Sequence, residues 1–135
     1  MPRCLAMAFA IIALAPAARH TKLAAQQATS QLPEGVTLAR IAEGGKLFKG
    51  QGFCFACHDL AGKGAMGPDL TDTLWLHSNG TFSEIVQQIV AGVPKNRSKS
   101  GVVMPPRGGS QLNDEQVKAV AAYVWSLSRP TLSSR

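Results

Sequence analysis

The 135-residue chain lacks a second C-x-x-C, lacks an H-x-x-x-H pair, and has only three cysteines. Structural zinc sites commonly draw on four Cys or His ligands, so these gaps argue against a zinc module. A thioredoxin-like thiol pair would sit in a β-α-β pattern, which is also missing. No internal repeat is present, and the length suits one domain. No strand-like alternation or hairpin signal appears, which leaves an all-α fold as the expectation. Nor does any apolar run near the start reach the about 20 residues needed to cross a bilayer; residues 4–15 give twelve.

What is present is concentrated at Cys54-Phe55-Ala56-Cys57-His58. C-x-x-C followed at once by His is the attachment pattern of c-type haem. Two thiols three positions apart share one side of a tight helical turn, where each can form a thioether to one vinyl group. His58 is then held under the ring as proximal axial ligand to the iron. One covalent haem c is the expected cofactor, and a single motif speaks against a diheme peroxidase.

The N-terminus has the order of a secretory signal: a basic start at Arg3, the apolar run, then small residues. Residues 1–25 read as that signal, with cleavage after Ala17 or Ala25; an uncleaved membrane anchor is the alternative. Cys4 leaves with it, so both remaining cysteines belong to the haem motif and no disulfide is expected. Covalent haem attachment in bacteria takes place outside the cytoplasm, and the periplasm is the expected address. If cleavage follows Ala25, loss of Arg3, Arg19 and Lys22 takes the fourteen basic residues to eleven against eight acidic ones, a charge of about +3 rather than +6. Two ionised haem carboxylates bring this near neutral, so nucleic acid is not an expected partner.

Residues 26–35 are a polar, flexible lead-in, and residues 36–130 form the domain. Residues 37–49 are predicted helical, with Leu38, Ile41, Ala42, Leu47 and Phe48 on the apolar side. Gly44 and Gly45 interrupt that helix, at about 1 kcal/mol each relative to Ala, which predicts a close helix crossing there. Residues 81–91 form another helix, started by Thr81 or Ser83 and closed by Gly92 and Pro94. A short helix is expected over residues 74–77. The last helix starts at Asn113, with Gln116 completing a capping box and Leu112 with Val117 a hydrophobic staple; Pro130 ends it near Arg129.

A haem held by His on one side needs a second ligand, and Met/His ligation is the pattern of cytochromes c. After the signal, Met66 and Met104 are the candidate thioethers. Met104 precedes Pro105, which forces it out of the helical region, and Pro106 with Gly108 and Gly109 suits a stiff loop close to a flat ligand. Met66 can reach the iron, since eight residues span up to about 26 Å, but it lies in a glycine-rich loop expected to wrap the proximal side. His77 reads as a surface or helix-end residue. Met104 is therefore the expected distal ligand, against the ordinary alternative of a gap-filling core methionine.

Gly44 to Phe48, the C-x-x-C-H, Gly67 to Leu70, Met104-Pro105 and the helix carrying Tyr123 resemble a class I monohaem cytochrome c, over roughly residues 36 to 129. The likeness is to small bacterial periplasmic cytochromes similar to the haem domains of haem-copper oxidase diheme subunits. It implies three to five helices around one haem, with Gly44 and Phe48 crossing the C-terminal helix at Val120 and Tyr123. It also implies that the Pro68 carbonyl receives the Nδ1 hydrogen of His58. In two places the pattern differs: Phe48 lies six residues before Cys54, and Asp59 stands where glycine is common.

The function expected is a one-electron carrier, likewise not an enzyme, cycling Fe(II)/Fe(III) between periplasmic respiratory partners as a monomer. Those partners are redox proteins (an oxidase, reductase or dehydrogenase), membrane-bound ones included. The alternatives are a dedicated electron-entry subunit of such a complex, or a haem-based gas sensor. Lys95, Arg97, Lys99 and Arg107 either steer an acidic partner or form an ordinary solvated basic loop.

Overall fold

A computed structural model describes residues 32–129; the signal, its cleavage sites, most of the lead-in and Pro130 lie outside them. Among the described residues four α-helices follow one another: α1 (Leu38–Phe48), α2 (Phe55–His58), α3 (Phe82–Ala91) and α4 (Asp114–Leu127). Short 3-10 turns occupy Lys95–Arg97 and Pro106–Gly109. The described residues contain no strand, only one antiparallel bridge between Val93 and Met104, so the fold is all-α. None of the described helices is long and apolar enough to cross a membrane.

α4 is the centre of the molecule. Its start is built as the sequence predicts: the Asn113 side chain accepts from the Gln116 N–H, and the Gln116 side chain accepts from the Asn113 N–H. Leu112 and Val117 are both buried, as a staple requires. Burial is broader than a single stripe, because Ala119, Ala122, Trp125 and Ser126 are covered along with Val117, Val120, Ala121 and Val124. The helix packs on α1 over its largest interface and on α3 over a smaller one, so more than one of its faces is occupied.

The α1–α4 crossing is as close as the paired glycines predict. A Cβ added to Gly44 would lie 1.9 Å from the Ala119 carbonyl oxygen and 2.9 Å from Tyr123 Cβ. The backbone nearest Gly44 is thus Ala119, one position before the expected Val120. Phe48 is fully buried and meets Tyr123 with ring centroids 5.2 Å apart. Leu38 and Ala42, expected on the apolar side of α1, are exposed, whereas Ile41 and Leu47 pack against the core beside Phe48.

α3 starts at Thr81 rather than Ser83: Thr81 and Glu84 form a complete capping box. Residues 74–77 are not helical. Leu74 N–H donates to the Asp72 carboxylate in a local turn, and Trp75 lies against Gly80, where no side chain fits. This turn bonding takes the place of the expected helix.

Candidate haem site

α2 holds the attachment motif. His58 N–H donates to the Cys54 carbonyl at 2.9 Å, which stacks the three functional side chains along a single turn. Asp59 ends the turn at φ +57° and ψ 174°, a backbone region that is essentially confined to glycine, which explains why glycine is common there. The chain then folds back. Gly64 N–H donates to the His58 carbonyl at 2.9 Å, and Ala65 and Gly67 N–H donate to the Cys57 carbonyl at 3.0 and 2.9 Å.

That return loop brings Pro68 to the imidazole. His58 Nδ1 lies 2.9 Å from the Pro68 oxygen, and since a carbonyl only accepts, Nδ1 carries the proton and donates. Nε2 is left as the basic nitrogen and has no hydrogen-bond partner among the described residues. Gly67 is required beside the ring: a Cβ there would meet His58 Cε1 at 2.9 Å. The sequence shows this glycine as part of a wrapping loop but does not reveal that it plates the imidazole. Burial pushes the His58 pKa down, partly opposed by the Pro68 bond, so the neutral, ligating form is favoured. Burial likewise pushes the Cys54 thiol up to about 11, which keeps it protonated at neutral pH.

Met104 reaches the same space from the other side of the sequence. Its N–H donates to the Val93 carbonyl at 3.0 Å and its carbonyl accepts from Val93 N–H at 2.7 Å. Gly92, at φ +66°, permits this pairing, since a Cβ would lie 2.3 Å from the Met104 oxygen. Met66 is 61% exposed and is absent from the cavity wall, whereas Met104 lines both of its chambers.

The outer chamber has a volume of about 160 Å³ and has Cys54, Cys57, His58, Met104 and Pro105 on its wall. The inner one, about 50 Å³, extends between Phe48, Trp75, Leu112 and Val120. Cys54, His58, Pro68 and Met104 belong to both. The space is mostly apolar and presents two unpaired thiols, one basic imidazole nitrogen and one thioether. This donor set and shape fit haem c.

The basic residues near Met104 do not form one group. Arg107 donates to the Leu112 carbonyl at 2.8 Å and to Asp114 at 2.6 Å, tying the loop to the start of α4. Lys95 donates to the Gly101 carbonyl. Arg97 and Lys99 are exposed, with no side-chain bond among the described residues. Two further wall residues, His77 and Gln88, carry no motif in the sequence that marks them.

Comparison with known proteins agrees with this geometry. The family described as cytochrome C oxidase, cbb3-type, subunit III matches residues 39–124. The cbb3-type cytochrome c oxidase subunit CcoP of Rubrivivax gelatinosus is 39% identical over 89 residues, 65% of this chain and 26% of that protein. The FixP subunits of Azorhizobium caulinodans and Sinorhizobium medicae are 38% and 37% identical, over 71% and 66% of this chain and 32% and 30% of theirs. The chain therefore spans about a quarter to a third of the curated relatives it matches. No solved structure matches at the same level of significance. The chain belongs to the cbb3-type cytochrome c oxidase subunit III family, as a class I cytochrome c domain with covalently bound haem c.

Proposed function

We propose that this chain is a one-electron carrier, with Cys54 and Cys57 as thioether anchors, His58 and Met104 as axial ligands, and Pro68 as the acceptor that orients His58. The observation that carries the reading is the pairing of a free His58 Nε2 with the Met104 thioether on one apolar cavity. Bound haem supplies the ferrous/ferric couple. The protein's residues do the rest: Pro68 and Gly67 fix the imidazole plane, the Val93–Met104 pairing fixes the distal loop, and the apolar wall excludes water from the metal. With both axial positions filled by side chains, no substrate binds iron, which separates a carrier from an oxidase centre or a gas sensor.

In this reading residues 1–25 direct export, residues 36–130 are the working domain, and the periplasm is its address. The partners are redox proteins, some of them membrane-bound. The names of the relatives favour a second arrangement, in which the chain serves permanently as an electron-entry subunit of an oxidase complex. Potentiometric titration of the purified holoprotein tests the carrier reading: one reversible one-electron transition is expected, and its absence contradicts it. Copurification from native membranes and periplasm separates the two arrangements, since a subunit stays with its complex through size exclusion and a shuttle does not.

A further inference from the structure

The loop that carries Met104 to the cavity wall is anchored at its two ends and by one side chain in the middle. Met104 pairs with Val93 at the near end, and Leu112 is buried at the far end, just before α4. The bonds inside the loop are local. Gly108 N–H donates to the Pro105 carbonyl at 2.9 Å and Ser110 N–H to the Arg107 carbonyl at 3.2 Å, while the Ser110 hydroxyl donates to that same carbonyl at 2.6 Å. Among the described residues, the bonds of residues 105–111 that reach more than three positions along the chain all come from the Arg107 guanidinium. It donates to the Leu112 carbonyl at 2.8 Å and to the Asp114 carboxylate at 2.6 Å.

Arg107 makes these bonds from a strained backbone. It adopts φ +54° and ψ 25°, and Gly108 follows at φ +67° and ψ 16°. Left-handed backbone is open to glycine and costs a residue that carries a Cβ. Glycine takes that conformation at 108 and again at 109; at 107 an arginine does, and the bonds of its side chain offset the strain. The Arg107 hydrogen bond chiefly holds the Asp114 carboxyl below its ordinary value, so the pair is ionised at neutral pH. The same loop is part of the haem space: Arg107, Gly108 and Met104 all line the inner chamber. A Cβ at Gly108 would lie 3.0 Å from the Gly52 carbonyl, so the loop lies directly on the chain that leads into the attachment turn.

We propose that Arg107 is a positioning residue for iron ligation: its guanidinium latches the distal loop to the start of α4 and so keeps the Met104 thioether on the metal. The inference rests on Met104 ligation in the carrier reading above. Releasing the latch lets the loop move away and leaves the distal position to an outside ligand such as imidazole. In that exchange a bond forms from the imidazole nitrogen to ferric iron and the bond from the Met104 sulfur breaks; both ligands are neutral, and no electron or proton is transferred. The apparent affinity of the outside ligand scales with the fraction of protein whose loop is open. A hydrogen bond from a charged donor is strong enough that its loss raises this fraction about tenfold. The Leu112 bond supplies most of the effect, because Leu112 is buried whereas the Asp114 side chain is 77% exposed and its ion pair is screened by water.

The test is an imidazole titration of the ferric holoprotein, followed by loss of the methionine-to-iron absorption band, for wild type, Arg107→Gly, Arg107→Lys and Asp114→Ala. Glycine suits the left-handed backbone, so Arg107→Gly removes the latch without adding strain. It should bind imidazole about tenfold more tightly than wild type. Asp114→Ala, which leaves the Leu112 bond, and Arg107→Lys, whose ammonium lacks the fork that reaches both acceptors, should fall between the two. Amide hydrogen exchange in Arg107→Gly should quicken at Gly108 and Ser110 and stay unchanged in α1, α3 and the rest of α4. An imidazole affinity equal to that of wild type overturns the inference, as does exchange that quickens throughout the domain, which would mark general loosening. Should Arg107→Gly fail to hold haem, the other two variants decide: tighter binding in both supports the latch, and wild-type affinity in either overturns it. A wild-type ferric holoprotein without the methionine-to-iron band contradicts Met104 ligation itself, and this inference with it.

Discussion

Around the metal, each residue's contribution follows from what its atoms are free to do. His58 donates from Nδ1 to Pro68 at 2.9 Å, so only Nε2 is left free to bind a metal, and a side chain at Gly67 would collide with the ring. Replacing Met104 by Ala should leave haem attached through Cys54 and Cys57 but remove the methionine-to-ferric-iron absorption band and lower the potential; an unchanged band would show that Met104 is not the ligand. Gly67→Ala should shift the potential or loosen the imidazole with attachment intact, read by the ferric spectrum. That the cysteines, His58 and Met104 share one cavity agrees with the sequence, where the C-x-x-C-H spacing and the Met-Pro loop single them out. His77 and Gln88 were not legible there, since a residue lining a cavity carries no local signal. Arg107 misled for a similar reason: a charge in a loop gives no sign of its partner, and this one binds Leu112 and Asp114.

Among the helices, the caps were legible and the faces less so. Thr81 with Glu84 and Asn113 with Gln116 form the boxes that local chemistry predicts, and Asn113→Ala should cost about 1 kcal/mol in a thermal or denaturant melt. Exposure of Leu38 and Ala42 was not legible, because Ile41, Leu47 and Phe48 of the same nominal apolar side do pack on the core and periodicity does not mark where a crossing ends. Gly44→Ala should destabilise by about 1–3 kcal/mol or more, since its methyl would meet a backbone carbonyl that cannot move aside; a melt within error of wild type would contradict the crossing. The caps also set an acid response. The Asp114 carboxyl is lowered chiefly by the Arg107 hydrogen bond and the Glu84 carboxyl chiefly by Thr81, from ordinary values of 3.8 and 4.5. Folded pKa values below unfolded ones mean stability that is present above those ordinary values and is lost as pH falls through the folded ones. A Glu84→Gln/Asp114→Asn variant should therefore lose less melting temperature than wild type between about pH 5 and about pH 3.

For the whole molecule, the cavity is the central fact: α1, α3 and α4 converge on it, and Phe48, Ile85, Ile89, Leu112, Val120 and Val124 form its inner wall. A small domain whose core helices line such a space depends on the group that fills it. The Cys54→Ala/Cys57→Ala protein should accordingly lack a cooperative melt by circular dichroism, and a native-like melt without haem would refute that dependence. The all-α class was legible from missing strand signals. The Val93–Met104 bridge was not, because an isolated pair of backbone bonds has no sequence period. The central claim is that His58 and Met104 close the iron on both sides, making the chain a carrier. Its most direct test is the absorption spectrum of the chemically reduced holoprotein before and after carbon monoxide: the spectrum should not change, and conversion to a carbon monoxide adduct would contradict the account.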